Sequence, residues 1–456
     1  MIIPFFYASK LIPKIMTKKL LFTILLTGGL FISCSSDDSD KSEPVVVVPV
    51  VTEPKPITVT SLSADFVIKG ENLEITGTNF TNKDFTTKVF INDVEVTAKE
   101  VTETKIVLAI GDNTKEGINT VRIQVKNILS TRTDFFVVAK GWTKLSALGG
   151  YDIQNSDVFD DNNFIFSFIN TYGDIGFSGS ARKLTPSAKG FDLLGLGNSM
   201  ANYGYFRMAN EKTGVLTTTS QAYYSGNAFE TSKNYEIETL KFSPAINGLQ
   251  IGYLDSKSSI VSSTIGGQLY TADNGVTVVK TDPPAWSLKG TYYRVGFTAF
   301  GKSTSNGKFY ELGIMNDYIK YGSNKQQNVI LESPTGYNNW TVIDTISKAK
   351  VGLSSYKFQN INKVLAVNPT DKTLVESTDM LKTWNVIKTD VTAVFLRTET
   401  QWYIQSGDKI LVTKNSGATW ELELELPAGS VVNDISFSTK KIIVSGKKGL
   451  HYLKLE

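Results

Sequence analysis

Cysteine and histidine are almost missing from this chain, with one of each in 456 residues. A lone cysteine can form no disulfide within the chain, so export would bring no disulfide framework. A lone histidine, His451, leaves no His/Cys set for a zinc centre. The same scarcity is read as excluding Ser-His-Asp and Cys-His catalysis. An excess of one charge is lacking too. The formal net charge is +3, and Lys10, Lys14, Lys18 and Lys19 all lie in the first 33 residues, which hold no acid. Without that segment the charge is about −1, which gives no electrostatic basis for binding nucleic acid. No P-loop, dinucleotide fingerprint or EF-hand loop is present, so neither a cofactor nor a metal site is expected. Helical periodicity is also missing. Short alternating runs of Val, Ile, Thr, Tyr and Phe are broken by Gly, Asn, Asp and Ser, and proline is sparse, which predicts an all-β protein.

What is present starts near the N-terminus. Met16-Thr-Lys18-Lys19 precedes an apolar run from Leu20 to Ile32 and then Ser33-Cys34. A charged start, a short apolar stretch and a small residue make a secretory signal. The run is shorter than the roughly 20 residues a membrane-spanning helix needs. Residues 1–33 are therefore expected to be a signal peptide that begins at Met16, with 1–15 an upstream extension. Phe31-Ile-Ser-Cys34 resembles the lipobox of bacterial lipoproteins. That resemblance implies cleavage before Cys34, acylation of its sulfur, and the lipid bilayer as a partner. Residues 34–56 run from Ser35-Ser-Asp37-Asp38-Ser-Asp40 into Val45-Val-Val-Val-Pro-Val-Val, too uniform to build a core. They read as a tether that spans roughly 70 Å when extended. The acidic cluster after the cysteine resembles the export signals of surface-exposed Bacteroidota lipoproteins, which implies the outer membrane and its outer face.

Residues 57–140 form one unit. Gly70-Glu-Asn-Leu-Glu-Ile75-Thr-Gly77-Thr-Asn79-Phe80 alternates and then breaks at a turn. Further short strands follow through Lys88–Ile91, Val94–Val96, Lys105–Ala109, Gly117–Val125 and Thr133–Val138, which predicts a small β-sandwich. The segment resembles the IPT/TIG family of immunoglobulin-like domains, commonly spacers or interaction modules.

Residues 141–456 repeat. Thr413-Lys-Asn415-Ser-Gly417-Ala-Thr419-Trp420 resembles the Asp-box of BNR-type propellers. Ser377-Thr-Asp379-Met-Leu381-Lys-Thr383-Trp384 repeats it with leucine in place of glycine. Thr271-Ala-Asp273-Asn-Gly275-Val-Thr277 repeats it without the tryptophan, and Glu332-Ser333 to Trp340 is a degenerate fourth copy. The hydroxyl and the Asp or Asn tie a tight turn, and glycine relieves its strain. The box acids are thus structural. If each box joins the third and fourth strands of a sheet, fourth strands begin near Trp142, Phe191, Ile237, Val278, Trp340, Trp384 and Trp420, at blade-sized steps. Three strands follow Trp420 with no fourth, and Trp142 opens the region as a lone strand. Pairing these two ends would close a ring of roughly seven blades.

Asp-box propellers include sialidases, so a glycoside hydrolase with a divergent site is the alternative. That resemblance would require an arginine triad, an Arg-Ile-Pro start and a Tyr/Glu pair. Arg-Ile-Pro is missing, and the region holds only Arg182, Arg207, Arg294 and Arg397. No pair of acids is marked out by spacing, and Asp160 to Asn163 reads as a turn. The binding candidates are aromatic clusters and inner-strand arginines: Tyr203, Tyr205, Arg207, Tyr223, Tyr224 and Arg294, with Tyr337 to Trp340 a weaker group. Rings of this kind stack on sugars or fill protein-interface pockets. The expected function is non-catalytic binding of a glycan or an outer-membrane protein through the propeller.

Overall fold

The computed structural model describes residues 54–456 apart from short stretches, among them 160–164, 194–205, 237–248 and 318–325. Among the described residues the regular structure is strand, with one 3-10 turn at Lys447–Gly449. No helix among them is long and apolar enough to cross a membrane.

Alternation builds the sandwich. Strand Asn72–Thr78 buries every second residue, placing Leu73 and Ile75 in a core with Phe80, Ile106, Val121, Ile123 and Phe135. One sheet runs Thr58–Leu62, Asn72–Thr78, Lys105–Ala109, Ala98–Val101. The other runs Phe66–Ile68, Thr133–Val138, Gly117–Val125, Thr87–Ile91, Val94–Val96, with Phe66–Ile68 parallel to its neighbour. Gly77 sits where two backbones meet. A Cβ there would overlap the Thr58 carbonyl oxygen and the Phe80 ring. Gly77→Ala is expected to destabilise the sandwich by about 3 kcal/mol, because overpacking against backbone cannot be relieved by a rotamer change. Urea denaturation followed by fluorescence would measure this.

Seven further sheets follow among the described residues. The first contains Asp152–Asp157, Ile165–Gly173, Gly176–Leu184 and Asp192–Leu193, each strand antiparallel to the next. Each later sheet repeats this meander. The fourth has an added short strand, Trp286–Leu288, hairpinned to Thr291–Lys302. Together with strands of 12, 9 and 8 residues, this strand explains the long spacing between Val278 and Trp340. The last sheet joins both ends of the region. Val432–Phe437, Lys441–Gly446 and His451–Leu455 are completed by Trp142–Lys144, with Trp142 opposite Lys454. No edge is left at that seam, and the architecture is a β-propeller.

The sandwich packs directly on this closing seam. Phe66, Phe136 and Val138 share one apolar cluster with Leu145, Val158, Ile165, Ile443 and Leu453. In a four-stranded meander, the turn between strands one and two and the turn between strands three and four lie at the same end. The chain enters the ring at Trp142, the start of a fourth strand, so the sandwich lies at the end that carries the box turns.

Candidate functional site

The box turns form locally, as their residue types dictate. In the third ring sheet the Thr271 hydroxyl donates to Asp273 Oδ1 at 2.9 Å and accepts from the Gly275 N–H at 2.7 Å. Asp273 Oδ1 also accepts from the Thr277 N–H at 2.8 Å. Ser377 and Asp379 make the same bonds to Leu381 and Thr383, and Thr413 and Asn415 make them to Gly417 and Thr419. Hydrogen bonds, first of all from Thr383, hold the Asp379 carboxyl down at about 2. An acid fixed as an anion cannot donate a proton near neutrality. Trp384 is half-buried. Trp420 donates from Nε1 to the Gly417 carbonyl and packs on a cluster containing Leu365, Leu374 and Trp402, across the junction of two sheets.

Several aromatic candidates are also part of blade packing. Tyr224 keeps 2% of its surface and lies against Gly275 of the next sheet. This corrects its assignment as a binding residue: the ring fills the space beside the box glycine. Tyr337 stacks on Tyr270 of the preceding sheet at 3.6 Å and 7°, and Trp340 is buried. Tyr223 is half-buried on Gln221–Ser225. Tyr203, Tyr205 and the turn at Asp160 to Asn163 lie outside the described residues, as does Cys34. Arg294 stands on Thr291–Lys302 opposite Asn316, and Arg182 on Gly176–Leu184 opposite Ser167; neither side chain is among those described. Arg397 is bound to Glu456 at 2.6 Å and to the Ser438 carbonyl at 2.9 Å, which fastens the chain end to the closing sheet.

Arg207 is different, and its surroundings were not visible in the sequence. It lies on Phe206–Met208, the inner strand of the second ring sheet. One guanidinium nitrogen donates to Asp157 Oδ1 at 3.3 Å and to Asp434 Oδ2 at 2.9 Å. Asp157 ends the inner strand of the first sheet, and Asp434 lies on that of the closing sheet. The Met208 N–H donates to the other Asp157 oxygen at 3.0 Å. Lys357, on the inner strand Ser354–Asn360 of the fifth ring sheet, is close enough for its charge to respond to Asp434 and Arg207. The second and fifth sheets are not neighbours in the ring order. Their charges act on one another across the ring.

The electrostatics follow from that enclosure. Burial pushes the Asp157 carboxyl up to about 6; Arg207 opposes this and Asp434 reinforces it. Burial also opposes the Arg207 charge, but Asp434 and Asp157 outweigh it and hold the guanidinium charged. The Arg207 side chain still keeps 40% of its accessible surface, whereas Asp157 and Asp434 keep 10% and 9%. Burial lowers the Lys357 ammonium below its usual range, Asp434 raises it, and Arg207 lowers it further. Lys357 is partly exposed, with its nitrogen 5.6 Å from the centre of the Phe395 ring.

Two other clusters bear on hydrolysis. Excluding a Ser-His pair because there is one histidine is too broad, since one histidine suffices for a triad. The structure does bring His451 Nε2 to 3.4 Å from Ser156 Oγ, which also contacts Ser167 and Ser445 at 2.8 and 2.7 Å. The cluster is buried at the closing seam, however, and among the described residues no acid orients His451 Nδ1. Burial pushes His451 down to about 3. In the unfolded chain it titrates near 6.5. Below pH 6.5 the unfolded state binds a proton that the folded state refuses, so this contribution is complete above 6.5 and declines toward pH 3. His451→Leu is expected to remove about 3 kcal/mol of the stability loss between pH 7 and 4, as measured by urea titration at both pH values. Asp157 acts in the opposite sense, adding stability as pH falls from 6 toward its unfolded value. The second cluster pairs Tyr310 with Glu332 at 2.8 Å and Lys308 with Glu332 at 2.6 Å. It lies on the middle strands of the fourth sheet, away from the axis. Burial raises the Tyr310 hydroxyl, the wrong direction for a nucleophile.

Residues 56–137 match the family model of the IPT/TIG domain. No curated protein matches the chain. Among solved structures, YCF48 bound to D1 peptide is 11% identical with a TM-score of 0.47, covering 70% of this chain and 97% of that one. YCF48 from Cyanidioschyzon merolae is also 11% identical with a TM-score of 0.47, covering 69% and 98%. An auxiliary nutrient binding protein from Bacteroides thetaiotaomicron VPI-5482 is 12% identical with a TM-score of 0.37, covering 89% and 98%.

Proposed function

We propose that this protein is a lipoprotein of the bacterial outer membrane, held on the outer face by acylated Cys34, and that its propeller is a non-catalytic binding platform. Its partner is a surface glycan or a protein subunit of an outer-membrane complex. The seven sheets are its blades, and the tied turns its Asp-boxes. The observation that carries this reading is the docking of the sandwich. Phe66, Phe136 and Val138 fix it to the box-turn end of the ring. The sandwich is fixed at that end, and the opposite end of the ring is the face assigned here to the partner. Lipid, tether and sandwich supply location and reach; the propeller supplies the contact.

Asp157 and Asp434 also favour binding over hydrolysis. Both acids are covered and committed to Arg207, whereas a glycosidase must present its two carboxylates to the scissile bond. The hydrolase alternative keeps one specific observation in its favour, the Asp157 carboxyl raised to about 6. External protease added to intact cells is expected to degrade the protein, and the purified mature chain to release no reducing ends from a broad glycan panel. Protection from protease would contradict the surface location. Turnover lost in Asp157→Asn would establish the hydrolase.

A further inference from the structure

We propose that the sandwich is the lock of the propeller ring: it closes over the seam between the first and last sheets, and the seam opens only when the sandwich comes away. This goes beyond the binding-platform reading and holds whatever the propeller binds. The strand that joins the two ends of the ring, Trp142–Lys144, is only three residues long. A strand so short opens easily when its ladder alone holds it. Here the sandwich reinforces it. Phe136 and Val138 share one buried apolar cluster with Leu145, which follows that strand, and with Leu453 of the closing sheet. The same cluster takes in Ile165 of the first sheet. The sandwich therefore bridges both sides of the seam.

Two sandwich strands are built for a permanent cover. In Thr133–Val138, Phe135 and Val137 face the sandwich core, while Phe136 and Val138 face the ring. In its neighbour Phe66–Ile68, Val67 and Phe66 divide in the same way. Gly117–Val125 of the same sheet instead buries alternate residues, as a sheet with one solvated face does. Separating the domains would bring Phe66 and Phe136, whose ring centres lie 5.5 Å apart, into water together. The link between the domains is residues 139–141, and it is tied down. The Ala139 N–H donates to Thr143 Oγ1 at 2.7 Å, and Thr143 is itself buried in the closing strand. Domains move against each other when their interface is polar and their linker long; a short link and an apolar interface remove that freedom.

The test is hydrogen exchange of the full mature chain across a urea series, read by mass spectrometry. Sandwich strands Asn72–Thr78 and Gly117–Val125 and seam strands Trp142–Lys144 and His451–Leu455 are expected to lose protection at one urea concentration. Ile123→Val alters only a side chain of the sandwich's own core. It is expected to shift the sandwich and seam transitions down equally, which excludes two domains that happen to be equally stable. Phe136→Ser is expected to speed exchange in both seam strands about ten-fold, with Trp402–Ser406 of the sixth ring sheet unchanged. Loss of protection in the sandwich while His451–Leu455 stays protected, in the unaltered protein or in Ile123→Val, would overturn the lock. So would seam exchange in Phe136→Ser equal to that of the unaltered protein. If Phe136→Ser does not fold, the other two forms decide the question alone.

Discussion

Replacing Cys34 with serine is expected to move the protein out of the membrane fraction almost completely. Serine keeps the size of the side chain but offers no thiol for acylation. Two acyl chains hold a protein on a bilayer stably, each buried methylene contributing about 0.8 kcal/mol, whereas one chain alone holds it only marginally. No helix among the described residues is long and apolar enough to span a bilayer, and the charge outside the first 33 residues is about −1, which gives no general attraction to anionic lipid. Palmitate labelling and fractionation would measure the effect. Retention of Cys34→Ser in the membrane pellet would contradict the lipid anchor and point to a partner that holds the protein there.

Gly275→Ala is expected to cost about 4 kcal/mol and to lower the melting temperature on the order of 10 °C. Two penalties combine. The residue has φ of +78°, where a side chain costs about 1–2 kcal/mol. A Cβ there would also overlap Tyr224 of the preceding sheet, adding an overpacking cost of about 1–3 kcal/mol. The equivalent position in the fifth ring sheet shows that the first penalty alone is tolerated. Leu381 occupies it with φ of +67° and a buried side chain. What separates the two sites is the neighbour across the blade junction, so the cost of the alanine reports on packing between blades. Calorimetry would show this as a lower melting temperature. A change under about 1 kcal/mol would mean that Tyr224 can withdraw.

Much of the architecture was legible because it is local. Alternation marked the strands, and hydroxyl and acid types at fixed offsets marked the turns, since those side chains bond to backbone only four residues away. Strand limits were less secure. The short strand Trp286–Leu288 had no repeat partner to reveal it. Contacts across blades were not legible. Asp157 and Asp434 are 277 residues apart and meet on one guanidinium nitrogen, a relation set by ring closure and not by spacing. The same closure brings Ser156 to His451. Tyr224 was misread because an aromatic beside glycine and serine has the composition of a binding loop, while its burial depends on the glycine of the following sheet.

The most direct test of the account is to purify the tagged, lipidated protein from detergent-solubilised outer membranes and identify by mass spectrometry what accompanies it. The account predicts a stoichiometric outer-membrane protein or a bound glycan, retained when Asp157 is replaced by asparagine. Recovery of the protein alone, free of both protein and carbohydrate, would contradict a binding platform.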